Sequence, residues 1–146
     1  MSDALNSRPF DRQLAVLLVE SRSVDWPQAP AARLPYLLAA RFDYDVKQGG
    51  FAQLLYNLQG NCLGEMEDML IVAQAAVAHE YYIRAIHLCL ADKDEYRRFL
   101  ASNYTDANQV KSELQFLSVE YLRRRVEFLD EASAFLTREL SGPFST

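Results

Sequence analysis

Apolar side chains recur along most of this chain at the three- and four-residue spacing of an α-helix, and no stretch of useful length alternates as a strand would. Phe10, Leu14, Leu17 and Leu18 make one stripe of a helix over residues 10–21, with Ser7 as the candidate N-cap and Pro9 tolerable in the first turn. Residues 23–35 then hold Pro27, Pro30 and Pro35 beside Trp26. Each proline removes a backbone donor and turns its predecessor away from helix, so this stretch predicts a connector that ends at a new helix near Pro35. That helix buries Leu37, Leu38, Phe42 and Val46 and should stop at Gly49-Gly50. A short helix follows from Phe51 to about Leu58, where Phe51, Leu54, Leu55 and Leu58 keep the helical spacing and Gly60 is placed for a left-handed C-terminal cap.

The stretch Leu63 to Leu90 carries two stripes, Leu63, Met66, Leu70, Ala73 and Val77 on one side and Met69, Val72, Ala76, Ile83, Ile86 and Leu90 on the other. So wide an apolar arc predicts one long helix at the centre of the bundle. Glu65, Glu67 and Asp68 fall in its first turns, where carboxylates complement the helix dipole. Another short helix is predicted from Asp92 to Leu100, then a turn over residues 102–106. From Asn108 a stripe through Val110, Leu114, Leu117 and Tyr121 passes into Leu122, Val126, Leu129, Leu136 and Leu140, with a change of register at Arg123 to Arg125 that predicts a bend or break; Ser141-Gly142-Pro143 ends it. The expected fold is all-α: a single compact domain over residues 1–146 with about six or seven helices around the central one.

Composition supports a globular helical protein. Half of the 146 residues are hydrophobic, and only five glycines and five prolines interrupt them. A chain of this length buries enough surface to fold without metal or disulfide. Cys62 and Cys89 form no C-x-x-C pair and join no Cys/His cluster, so reduced thiols are expected, with no metal and no cofactor. Residues 1–12 lack the positive start and apolar stretch of a signal peptide, and no apolar run reaches membrane-spanning length, which makes the cytoplasm the expected location.

Charge adds a regional feature. The net charge is −5, yet residues 43–96 alone hold nine acids and three bases, a balance of −6, whereas residues 1–42 sum to +1. A domain-wide basic patch is missing, which argues against direct nucleic-acid binding. Arg123, Arg124 and Arg125 are the only basic cluster, and Glu120 and Glu127 at helical spacing predict a solvated, partly ion-paired face. Asp43, Asp45, Glu65, Glu67, Asp68, Asp92, Asp94 and Glu95 are candidates for binding a partner with a basic surface; their structural alternative is as solvated helix ends.

Catalytic chemistry finds little support. His79 and His87 are eight apart, too far for an i, i+4 ligand pair, and Glu80 with Arg84 at i+4 predicts an ordinary helix ion pair. Gly49-Gly50 lacks the spacing of a phosphate loop and is read as a tight interhelical turn, and there is no Gly-x-Ser-x-Gly elbow. No residue is assigned a catalytic role. An enzyme or small-ligand binder would need a pocket joining His79, Tyr56, Asn57 and Asp45.

One segment is more specific. Residues 43–57, Asp43-Tyr44-Asp45-Val46-Lys47-Gln48-Gly49-Gly50-Phe51-Ala52-Gln53-Leu54-Leu55-Tyr56-Asn57, resemble the signature of a bacterial helical family of mostly uncharacterised proteins that includes a DNA mimic. Val46, Gly49, Gly50, Phe51, Gln53 and Asn57 match the signature, while Gln48 stands where the family more often has asparagine and Asp45 where it more often has glutamate. Leu129-Asp130 with Phe135 and Leu136 extends the likeness, which spans roughly residues 34–140. The motif reads as scaffold: glycines for a sharp helix-helix turn, Phe51 and Tyr56 in the core, and Gln53 or Asn57 bonding the turn's backbone. The resemblance implies a compact helical fold, leaves homodimerisation open, and implies a DNA-mimic role in which acids spaced like phosphates occupy the basic surface of a DNA-binding regulator. The reading is thus of a non-enzymatic protein-binding domain, with an immunity- or antitoxin-like partner protein and a ligand-binding or enzymatic domain as the alternatives.

Overall fold

The computed structural model describes residues 7–140. The N-terminal stripe closes as α1 (Asp11–Ser21), which buries Leu14 and Leu17. Ser7 is not its cap: the helix starts after Phe10 without a side-chain cap, and the Asp11 carboxylate instead accepts the Arg8 N–H at 2.7 Å. The proline-rich connector contains a single 3-10 turn, Trp26–Gln28, and delivers the chain to α2 (Leu34–Leu58), with Pro35 in its first turn where a missing N–H costs nothing. After α2 come α3 (Leu63–Val72), α4 (Ala76–Ala91), α5 (Lys93–Ala101), α6 (Gln109–Arg123), α7 (Phe128–Glu131) and α8 (Ser133–Leu140). Among the described residues every regular element is helical. The all-α expectation holds.

One predicted element differs in an instructive way. Leu63 to Leu90 is not one central helix but two, because Gln74 adopts a left-handed φ of 60° while Ala73 and Ala75 on either side are buried. No glycine or proline marks that break. What sustains it is Glu131, whose carboxylate accepts the N–H groups of Val77 (2.8 Å) and Ala78 (3.0 Å), capping α4 from a helix far along the chain. Val72 and Leu90, assigned to the apolar stripes, are 59% and 54% exposed. The central element is instead α2, which packs against α1, α3 and α6 and whose Leu37, Leu38, Phe42, Phe51, Leu54, Leu55 and Leu58 are fully buried.

The predicted turn at Gly49-Gly50 is present: α2 is two helices joined across a kink at which only Gly50 is non-helical, with φ 73° and ψ −166°, and Asp45 before it bonds Gln53 and Asn57 after it, which a continuous helix would hold about 12 and 18 Å away along its axis. That backbone region is open essentially to glycine alone. At its far end α2 closes on left-handed Gln59 (φ 50°), whose N–H reaches back to Leu55 and Tyr56, and Gly60 after it is left-handed as predicted (φ 81°). Near the other end of the chain the predicted break is present, with Arg125 at φ 56° between α6 and α7, and a second interruption separates α7 from α8. The predicted stop at Ser141-Gly142-Pro143 lies outside the described residues.

Candidate partner-binding surface

The glycine motif comes first, because it settles the position of one candidate acid. Asp45 is fully buried. Its two oxygens accept from Arg41 Nε (2.8 Å) and Nη2 (2.5 Å), from Gln53 Nε2 (3.1 Å) and from Asn57 Nδ2 (3.2 Å), which uses the four acceptor positions a carboxylate has. Arg41 is itself held by Ser21 of α1, whose hydroxyl donates onward to Leu18 O. Arg41 and Asp45 stand before the kink, Gln53 and Asn57 after it. The motif therefore clamps the two halves of α2 together through side chains.

The backbone freed at the kink is served from elsewhere. Phe51 N–H donates to Ser118 Oγ of α6 at 2.8 Å, and that hydroxyl donates to Leu114 O at 2.7 Å. Gln53 and Asn57 do not bond the turn, contrary to the expectation from sequence. Both glycines have steric reasons to be glycine: a Cβ on Gly50 would lie 2.3 Å from Ser118 Oγ, and one on Gly49 would lie 2.3 Å from Gln53 Oε1, displacing the amide that reaches Asp45. Phe51 enters the core as expected. Tyr56 is half-buried between Phe99 and Tyr104 and donates its hydroxyl to Ser102 O at 2.5 Å.

The remaining acids fall into three settings. Asp43, mostly buried, lies 2.9 Å from Lys47 Nζ, and burial pushes its carboxyl above the usual carboxylate range despite that cation. At the junction of α4 and α5, Asp92 caps α5 by accepting Glu95 N–H (3.2 Å), Asp94 pairs with Arg97 (3.1 Å), and Glu95 takes both Arg98 (2.8 Å) and the Gln109 N–H (2.8 Å). Those two bonds hold the Glu95 carboxyl below its ordinary value, the backbone donor counting most. With Lys93 included, this cluster balances three acids against three bases. It has little charge left to offer a partner.

Helix α3 is different. It carries Glu65, Glu67 and Asp68 and no basic residue. Glu67 faces His79 Nε2 at 3.0 Å, while Glu65 and Asp68 are exposed and take part in no ion pair among the described residues. Both line a groove of about 500 Å³ shared with the start of α2 and with α8, floored by Leu38, Met69 and Phe135. A third carboxylate, Glu139, stands on the far side, accepting from Tyr36 Oη (2.7 Å) and paired with Arg138 (3.0 Å). At the C-terminal end of α3, Ile71 and Val72 are 53% and 59% exposed. The helix thus offers uncompensated negative charge followed by apolar surface, an arrangement suited to a basic partner with apolar anchors.

Other candidates settle as structural. His79, Tyr56, Asn57 and Asp45 share no single cleft: Asn57 borders one beside Arg22, Trp26 and Arg41 that His79 does not reach. Glu80 does not pair with Arg84, which instead holds Glu120 of α6 through two bonds of 2.9 and 3.2 Å. Nor does Glu120 serve the triple arginine: Arg123, Arg124 and Arg125 are exposed, and Arg124 reaches Tyr81 Oη at 3.3 Å. Burial pushes the Cys89 thiol up to about 12 and raises that of Cys62, so neither is poised as a thiolate nucleophile. Among the described residues no cluster of His, Cys, Asp and Glu could hold a metal ion, and no helix is long and apolar enough to cross a membrane.

Sequence reasoning missed Ser118, Glu131 and the Ile71-Val72 pair, the first two because their partners lie more than 50 positions away. Compared with known proteins, the chain matches the family model described as DMP19-like protein over residues 28–139, well over half its length. No curated protein and no solved structure matches it.

Proposed function

The chain belongs to the DMP19-like protein family, and from that premise we propose that it is a non-enzymatic protein-binding domain whose α3 face occupies the basic, DNA-binding surface of a transcription regulator. The observation that carries this reading is the contrast in charge compensation: α3 has no base of its own and its Glu65 and Asp68 are exposed without an ion partner among the described residues, whereas the acids of α5 are matched by neighbouring cations and Asp45 is sealed inside. Uncompensated carboxylates attract a basic surface over roughly a Debye length, about 8–10 Å at physiological salt, and speed its encounter without any catalytic step. Exposed Ile71 and Val72 supply the apolar contact that charge alone does not.

The reading is tested by capture from native lysate at low and high salt, followed by competition. A DNA-binding protein retained at low salt and released at high salt should lose its DNA when the free domain is added. Retention of no basic or DNA-binding protein at low salt refutes the proposal, as does a captured protein that binds the domain and its DNA simultaneously.

A further inference from the structure

Away from α3, the left-handed turn at Arg125 leaves a cleft of about 450 Å³ where α6 ends and α7 begins, closed on its other side by α2. That volume lies in the range of about 300–1,000 Å³ usual for small-molecule sites. Its walls are largely apolar, made by Phe42, Val46, Leu122, Val126 and Phe128. Four charged residues stand around it, and they cancel: Asp43 lies against Lys47, and Arg125 and Glu127 carry opposite signs. A charged ligand would find no net counter-charge here.

Tyr121, only 4% exposed, also lines the cleft, and its hydroxyl is buried without a hydrogen-bond partner. The ring packs between Phe51 and Tyr81, with centroids 5.5 and 5.3 Å away. Asp43 stands on the same wall with its Oδ1 buried, held 2.9 Å from Lys47 Nζ. Asp43, Glu127 and Glu131 are the carboxylates whose fields reach the Tyr121 hydroxyl, and the first two line the cleft with it. Buried polar groups are almost always satisfied, and a buried hydroxyl without a partner on the wall of an apolar cavity, beside a carboxylate that can accept a further bond, points to something that completes it.

We propose that this cleft binds a compact, uncharged, mainly apolar molecule bearing one hydroxyl group, with the hydroxyl accepting from Tyr121 and donating to Asp43. A single hydroxyl is the smallest group that can do both. This site is independent of the α3 face and of any partner protein.

Phenol and toluene are the probes, followed by NMR of the backbone amides and of the methyl groups of Val46, Leu122 and Val126. Phenol should give saturable shifts at those positions, and toluene should bind more weakly. Tyr121→Phe should weaken phenol roughly tenfold and leave toluene unchanged, since a site built to bond a hydroxyl discriminates by the group left unpaired. Leu122→Trp, at an exposed position on the rim, should block both probes without disturbing the core, and it keeps the test decisive if the Tyr121 variant folds poorly. The proposal is overturned if neither probe saturates, if phenol and toluene bind alike, or if Leu122→Trp leaves phenol binding intact. Water alone satisfying the Tyr121 hydroxyl is the case in which neither probe saturates.

Discussion

Asp45 and the pair Glu65 and Asp68 belong to the same acidic stretch of sequence, yet their surroundings have nothing in common. Asp45 has no exposure and four donors around it; Glu65 and Asp68 are exposed and without ion partners among the described residues. The first acid holds two halves of one helix at a fixed angle, and its charge is spent internally on Arg41. The second pair leaves its field in the solvent, where a partner can meet it. Local charge density in the sequence cannot separate these roles, because the separation is made by burial and by which cations the fold brings near.

The largest effect should come from breaking the buried side of this comparison. Asp45→Ala leaves Arg41 buried without a counter-charge and should cost about 3–5 kcal/mol in urea unfolding. A loss below about 1 kcal/mol would mean that the clamp is not what fixes the kink. Gly50→Ala should follow at about 2–4 kcal/mol, combining a backbone region closed to alanine with a clash against Ser118. Adding Ser118→Gly, which removes both the Oγ and the Cβ that a side chain at Gly50 would meet, should relieve the clash but remove the Phe51 cap, so the double variant should cost less than the sum of the two singles. Additive losses would show that the glycine and the serine act separately.

Asp43 stands between the two extremes and gives a smaller, pH-dependent effect. Its folded carboxyl titrates above the usual range because burial disfavours the charge. Between the unfolded and folded values the native state binds more protons than the unfolded chain, so stability falls as pH rises through the folded pKa. Asp43→Asn removes that penalty. Its advantage over the unaltered protein should therefore be greatest at neutral pH and shrink as the solution is acidified through the raised pKa, read by denaturation at a series of pH values. An advantage that grows on acidification would contradict the assignment.

Much of the architecture was legible in advance where a local cause sufficed. Helical spacing, the proline connector, the short helix that begins at Asp92 and the break at Arg123 to Arg125 each follow from residues within a turn or two of the event. The split between α3 and α4 was not legible, since Gln74 bears no mark of a left-handed residue and the cap on α4 is Glu131, brought from the C-terminal part of the chain. Arg84 chose Glu120 over Glu80 for a similar reason: the neighbouring helix offered a two-pronged partner. Burial of Asp45 did leave a trace. It lies three residues after Phe42 and seven after Leu38, on the apolar stripe itself, with Arg41 four residues before. An acid in that register, with a base at i−4, is better read as a core ion pair than as part of a surface.

The exposed side of the comparison yields the smaller change in stability and the larger in binding. Glu65→Gln, Glu67→Gln and Asp68→Asn together should cost about 1–2 kcal/mol, from the helix dipole they complement and the Glu67–His79 contact. The most direct test of the account sets this variant beside Asp94→Asn with Glu95→Gln on α5, and measures the affinity of each for the captured DNA-binding partner as salt is varied. The account predicts that the α3 variant loses both affinity and salt dependence while the α5 variant keeps both; equal losses in the two, or loss only in the α5 variant, would contradict it.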